Sequence, residues 1–144
     1  MSFDESLFPR LSDGYQVTSP PSRQYNCIAW AAGVNDEWWD PSADGKWPAG
    51  LARNDAIGTL VSLYEGLGFT PCDQAAFEPG HEKIAIYGDD GIWAHAARQL
   101  PGGRWTSKLG SADDIEHATL GALESEDYGH VLVILKRSVA ASTS

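Results

Sequence analysis

Residues 83–108 read KIAIYGDDGIWAHAARQLPGGRWTSK and contain three apolar or alternating segments that are separated by two glycine-rich turns. Such segments are typical of β-strands, and short turns between them require neighbouring strands to run antiparallel. A further apolar segment, HVLVILK, follows a Tyr-Gly turn near the end of the chain. The predicted strands cover residues 83–87, 92–100, 104–108 and 130–136.

Helical patterns lie mainly before these strands. Residues 24–33, QYNCIAWAAG, predict a helix that Asn26 caps and Cys27 begins. Apolar spacing predicts a second helix over residues 54–67, and a third, short helix is expected over residues 112–124. Helices gathered before a meander of strands indicate the α+β class, with N-terminal helices packed on an antiparallel β-sheet.

The length of 144 residues predicts a single domain over residues 1–144. Residues 1–22 hold three prolines and are interpreted as an N-terminal arm, and residues 137–144 are interpreted as a flexible tail. Ten basic and 20 acidic residues give a formal net charge of −10. This charge argues against nucleic acid and anionic membranes as partners, because both would be repelled.

The sequence contains no apolar run long enough for a transmembrane helix, and its first residues lack the basic and apolar parts of a Sec signal peptide. We therefore expect a cytoplasmic protein, with export that needs no cleaved signal left open. Cys27 and Cys72 are the two cysteines, which is too few for a disulfide framework in a chain of this length. Cys72 is interpreted as an inert structural residue.

A cysteine at the predicted start of a helix has the clearest chemistry in the sequence. The helix dipole and free N–H groups stabilise a thiolate, so Cys27 is the candidate nucleophile. The alternative is that Cys27 is a small buried apolar residue. His95 alternates with Trp93 and Ala97 along its predicted strand, so we expect these three side chains on one face. If that face meets the first helix, His95 can take the thiol proton; otherwise it is a structural histidine.

A third polar group should orient the imidazole ring. Ser107 follows His95 across a tight hairpin at an even separation, so it is the candidate for this role. His117 and Asp113 are the alternatives that the sequence offers. Ser107 is equally compatible with an ordinary half-buried strand position.

Several segments within residues 24–136, namely YNCIAWAAG, EPGHEKIAIYG, HAARQLPGGRWTSKLG and DIEHATL, resemble a group of bacterial domains of unknown activity. The order of Cys27, His95 and a polar residue on the next strand resembles the papain-like fold in its small bacterial form, the NlpC-type and CHAP-type amidases and peptidases. Members of that family usually have His, Asn, Asp or Gln as the third residue, and Ser107 departs from this pattern.

The resemblance implies a cysteine hydrolase that needs no cofactor and cleaves an amide bond in a peptide or muropeptide. Deamidation of a protein glutamine through the same acyl-thioenzyme is a second implied activity. By analogy with papain-like enzymes, Gln24 or Tyr25 would supply a hydrogen-bond donor for the oxyanion beside the N–H of Cys27.

A loop rich in tryptophan follows the first predicted helix. Its rings Trp38, Trp39 and Trp47 would line a groove for sugar or peptide if they were exposed, and otherwise would form a lid on the helix pair. Trp38, Trp39 and Trp93 are therefore candidate substrate-binding residues, with Gln24 and Tyr25. The cysteines and histidines show no CxxC or HxxxH spacing, so no metal site is predicted.

Two functions from different classes are compatible with these observations. The first is a papain-like cysteine hydrolase that uses Cys27 and His95. The second is a papain-fold module that has lost turnover and binds a protein. The unusual third residue favours the second function, and the acidic composition suits a basic protein partner.

Overall fold

Seven antiparallel strands form one sheet in the part of the chain that the computed structural model describes. The described residues are 8, 11, 15–20, 22, 24–41, 46–109, 113–126 and 128–138. The strands are β1 (Gln16–Ser19), β2 (Thr70–Cys72), β3 (His81–Asp89), β4 (Ile92–Gln99), β5 (Trp105–Lys108), β6 (Asp114–His117) and β7 (His130–Ser138). Across the sheet they follow the order β1-β6-β5-β4-β3-β7-β2. The predicted α+β class with an antiparallel sheet is confirmed.

Two α-helices precede most of these strands: α1 (Cys27–Ala31) and α2 (Ile57–Glu65). The predicted start of α1 is confirmed, because the Asn26 side chain accepts a hydrogen bond from the N–H of Ala29. Both helices are shorter than the apolar patterns indicated, and α1 has only five residues.

The predicted helix over residues 112–124 is wrong. Residues Asp114–His117 form β6, and a 3₁₀ turn follows at Leu120–Leu123. Ile115 is fully buried and lies between β5 and β1, so pairing with two strands overrides the local helical tendency.

The predicted arm and tail also need correction at their inner ends. Residues 16–19 of the arm form β1, which pairs with β6. Residues 137 and 138 of the tail continue β7. Residues 139–144 and most of residues 1–14 lie outside the described residues, so the rest of both predictions is not tested.

Two clusters of apolar side chains lie on opposite sides of the sheet because side chains alternate along each strand. We call one side the helix face. It carries Ile84, Ile86 and Ala96, which share a cluster with residues of α1 and α2. We call the other side the far face, and it carries Ala85 and Tyr87.

A β-bulge interrupts the alternation between β3 and β4. Tyr87 lies opposite His95, but the next residue, Gly88, lies opposite Trp93, so β4 contains one extra residue at this point. A Cβ atom on Gly88 would lie 2.1 Å from the carbonyl oxygen of Ile92, so only glycine fits there. The extra residue changes the alternation of side chains along β4. Two residues that are an even number of positions apart, one on each side of the bulge, therefore lie on opposite faces of the sheet.

We expect Asn26→Ala to lower the free energy of unfolding by about 2 kcal/mol, since the change removes a helix cap and two further hydrogen bonds. The Asn26 side chain also accepts from the backbone N–H of Trp39 and donates to its carbonyl. Urea denaturation would measure the loss. Asn54→Ala is the matched control, because Asn54 accepts hydrogen bonds at the exposed start of α2. Equal losses in the two variants would contradict the prediction.

Candidate functional site

Cys27 lies at the start of α1 and belongs to the helix-face cluster. Cys27 is only 8% exposed, and its neighbours in the cluster include Ile28, Ala96 and Trp47. Cys27 therefore lies at the predicted start of a helix, but it is largely shielded from water.

Burial raises the pKa of the Cys27 thiol to about 11. Backbone hydrogen bonds from Ala96, Cys27 and Ile28 oppose this rise, and so does the nearby Lys108 ammonium group. Because α1 has only five residues, its dipole is too short to outweigh the loss of hydration. The side chain is a neutral thiol at neutral pH.

His95 lies on the far face. Its ring stacks on Tyr128 at a centroid distance of 4.2 Å and an interplanar angle of 6°, and it also contacts Tyr87. The side chain is fully buried, and neither ring nitrogen has a hydrogen-bond partner in the described structure. Burial, with a smaller contribution from His117, holds the pKa of His95 well below its usual range.

The prediction that Trp93, His95 and Ala97 share a face is confirmed for His95 and Ala97 and is wrong for Trp93, and the face of His95 does not meet the first helix. Trp93 packs against the helix-face cluster with Cys27, whereas Ala97 and the aromatic neighbours of His95 belong to the far-face cluster. The bulge beside Gly88 is the physical reason, since it reverses the alternation between residues 93 and 95. The sheet lies between Cys27 and His95, so the structure does not bring the proposed nucleophile and base together.

Ser107 also lies on the far face, but it contacts His117 instead of orienting His95. The distance from Ser107 Oγ to His117 Nε2 is 2.8 Å, and His117 Nδ1 lies 2.8 Å from the Thr119 carbonyl oxygen. Nδ1–H therefore donates to that carbonyl, and Nε2 accepts from the serine hydroxyl. Ser107 and His117 are both fully buried, so a substrate cannot reach this pair.

The two candidate oxyanion donors, Gln24 and Tyr25, differ in their surroundings. The Tyr25 hydroxyl donates to Asp114 over 2.5 Å, and the ammonium group of Lys108 lies 5.1 Å from the tyrosine ring. Gln24 is exposed, and its backbone N–H donates to the hydroxyl of Ser22. The backbone N–H of Gln24 and the hydroxyl of Tyr25 are thus already engaged.

The tryptophan loop is partly a lid and partly a groove wall. Trp47 is buried in the helix-face cluster, and Trp39 packs against that cluster while remaining half-buried. Trp38 is half-buried too, and its carbonyl accepts from the N–H of Lys46. Both predicted alternatives for these rings therefore apply in part, and residues 42–45 lie outside the described structure.

A groove of about 270 Å³ opens between this loop and α2. One wall is formed by Trp39, Trp47 and Pro48 and the other by Leu63 and Leu67. Apolar and aromatic walls of this kind are typical of binding sites. The lid interpretation placed the loop on the helix pair, but no local pattern combines its tryptophans with Leu63 and Leu67 in one groove.

A carboxylate lies at the edge of the groove. Glu37 accepts a hydrogen bond from the indole N–H of Trp39 at 2.9 Å and another from the Lys46 ammonium group at 3.1 Å. These two donors lower the pKa of Glu37, with the indole as the larger cause. The groove therefore combines apolar walls with a Glu37–Lys46 ion pair at its edge.

Among the residues that the structure describes, no three His, Cys, Asp or Glu side chains lie close enough to hold a metal ion. None of the helices in the described ranges is long and apolar enough to cross a membrane.

The family model described as "Domain of unknown function (DUF7689)" matches residues 16–136, which is most of the chain. The chain belongs to the DUF7689 family. The matched residues contain the groove, Cys27 and the buried pair of Ser107 and His117. No curated protein and no solved structure matches the chain.

We expect iodoacetamide to label Cys72 faster than Cys27 in the folded DUF7689 domain. A thiol pKa of about 11 leaves roughly one part in ten thousand as thiolate at pH 7, and burial hinders the reagent further. Peptide mapping by mass spectrometry would measure both rates. Unfolding in urea is the control and should make the two rates similar. Faster labelling of Cys27, slowed by His95→Ala, would contradict the prediction.

We expect the DUF7689 domain to lose stability as the pH falls from about 6.5 towards 4. Burial lowers the pKa of His117 to about 4 and that of His95 well below 6.5, so the unfolded chain binds more protons in this range. Above pH 6.5 both histidines are neutral in the folded and the unfolded chain, so they do not change the free energy of unfolding with pH. As the pH falls to 4, His117 alone should lower that free energy by on the order of 3 kcal/mol. Urea denaturation at several pH values would measure the slope.

His95→Phe tests the source of this slope, because phenylalanine keeps a ring against Tyr128 but cannot be protonated. The variant should show a shallower pH dependence than the wild type. His130→Gln, at an exposed position of β7, is the control and should keep the full slope. An unchanged slope in His95→Phe would exclude His95 as a contributor.

Proposed function

We propose that this protein is a non-hydrolytic binding module that holds an apolar segment of a partner protein in the groove between the tryptophan loop and α2. The observation that carries the proposal is the groove itself, because its walls of indole and leucine side chains open to solvent. Leu67, at one end of the groove, is 39% exposed although it is a large apolar residue.

The environments of the candidate catalytic residues support this choice over hydrolysis. A cysteine hydrolase needs a thiolate and a base within hydrogen-bond reach. Here the thiol of Cys27 has a raised pKa, and His95 lies on the other face of the sheet. The acidic composition, with a net charge of −10, favours a partner segment that carries positive charge.

A papain-like architecture is part of the same proposal. Cys27 begins a helix that contacts β4 and β5, and Arg98 and Thr106 on those strands hydrogen-bond to Trp30 of that helix. This helix-and-sheet contact agrees with the order of elements in small bacterial papain-like domains. The two free thiols, Cys27 and Cys72, favour a reducing compartment, so we propose the cytoplasm as its location.

Leu67→Asp tests the groove, since it places a second charge beside an apolar wall without removing a buried side chain. Random peptides displayed on phage would be selected on the wild-type protein, and the affinities of selected synthetic peptides would be measured by fluorescence anisotropy. We expect Leu67→Asp to weaken binding at least about tenfold. Ile92→Asp is the matched control, because Ile92 is a 50% exposed apolar residue outside the groove, and it should leave the affinity unchanged.

Two results would overturn the proposal. One is equal peptide affinity for the wild type and Leu67→Asp. The other is cleavage or deamidation by the wild type, but not by Cys27→Ala, when purified sacculi or a protein library are incubated with each and examined by mass spectrometry. The second result would restore the hydrolase function.

A further inference from the structure

Glu37 is held at the edge of the groove in a fixed orientation. The indole N–H of Trp39 donates to its Oε1 atom, while Oε2 accepts from the Lys46 ammonium group. Trp39 is fixed in turn, because its backbone N–H and carbonyl both hydrogen-bond to the Asn26 side chain. The fold therefore orients the Glu37 carboxylate, and its Oε2 atom can exchange the Lys46 ammonium group for another cation.

The backbone of Lys46 is held in place independently of its side chain. Its N–H donates to Trp38 and its carbonyl accepts from Asp40. Its side chain is 70% exposed, against 34% for that of Glu37. An exposed ion pair of this kind contributes little free energy, so another cation can replace the Lys46 ammonium group without disturbing the loop.

We propose that Glu37 and Trp39 form a cation subsite that takes a lysine-like alkylammonium group of the partner segment in place of Lys46. The inference rests on the proposed function, and it names the chemical group that the groove recognises. The alkyl stem of the ligand would lie along Trp47 and Leu63, both of which line the groove.

The hydrogen bond from Trp39 selects between the two basic side chains. A guanidinium group binds a carboxylate best when both oxygens accept in parallel. The indole already occupies one lone pair of Oε1, whereas both lone pairs of Oε2 become free once the Lys46 ammonium group leaves. A compact ammonium ion needs one oxygen, so the subsite should prefer alkylammonium to alkylguanidinium ligands.

The test uses three small probes of equal chain length: n-hexylammonium, n-hexylguanidinium and 1-hexanol. Titration of the ¹⁵N-labelled full chain would follow the indole N–H signals of Trp39 and Trp47. The signal of Trp105, which is 3% exposed on the far face, is the internal reference and should not move. In a Lys46→Met variant, where no ammonium group competes, we expect n-hexylammonium to bind about fivefold more tightly than 1-hexanol, which corresponds to one exposed ion pair. In the wild type the preference should have the same direction but be smaller, because the ligand must displace Lys46.

Two substitutions separate charge from shape. Glu37→Gln can still accept from the indole but has no charge, so it should bring the affinity for n-hexylammonium down to that for 1-hexanol. Glu116→Gln is its control, because Glu116 pairs with Arg104 on a distant strand.

Lys46→Met removes the competing ammonium group and should tighten n-hexylammonium binding while leaving 1-hexanol unaffected. Lys136→Met, which breaks a pair with Glu78, controls for net charge.

The outcomes distinguish the subsite from the groove. Equal binding of n-hexylammonium and 1-hexanol, unchanged in Glu37→Gln, would overturn the subsite and leave the groove as a binding site. Equal or tighter binding of n-hexylguanidinium would overturn the preference that Trp39 is proposed to impose. If no probe shifts the Trp39 and Trp47 signals, the subsite and the proposed function both fail.

Discussion

The close approach of Gly88 to the carbonyl of Ile92 decides on which face of the sheet Trp93 lies. It allows a bulge where β3 meets β4, and the extra residue in β4 moves Trp93 and His95 to opposite faces. The helix face consequently receives a tryptophan beside Cys27, while the histidine joins the tyrosines of the far face. Regular alternation here would place Trp93 on the far face as well, while His95 would stay there because it pairs with Tyr87.

Burial then determines the chemistry of both faces. A thiolate or an imidazolium ion needs hydration or a close counter-charge, and the sheet offers little of either. On the helix face the cost of burying a thiolate exceeds the effect of a short helix. On the far face His95 remains neutral because it is packed between aromatic rings. The two groups that resemble a catalytic pair in sequence are thus buried on opposite faces of the sheet.

The groove depends on contacts between segments that are distant along the chain. Asn26 caps α1 and at the same time fixes the backbone of Trp39, so one side chain joins the helix to the loop. The loop then places Trp47 in the core and leaves Trp39 at the edge beside Glu37. The opposite wall comes from Leu63 of α2 and from Leu67, which follows the end of that helix. Apolar walls and an oriented Glu37–Lys46 ion pair support the proposed binding of a partner segment.

The sequence by itself determined the α+β class, most strands, the cap of α1 and the position of Cys27 within it. These features follow from local patterns: apolar runs between glycine turns, and an asparagine before a helical segment. Only the tertiary structure decided that residues 114–117 are a strand, because that depends on pairing with β5 and β1. The site was likewise decided in three dimensions. A bulge placed Trp93 on the face opposite His95, pairing with Tyr87 kept His95 away from α1, burial set the pKa values, and the packing of a loop against α2 made a groove that no local pattern encodes.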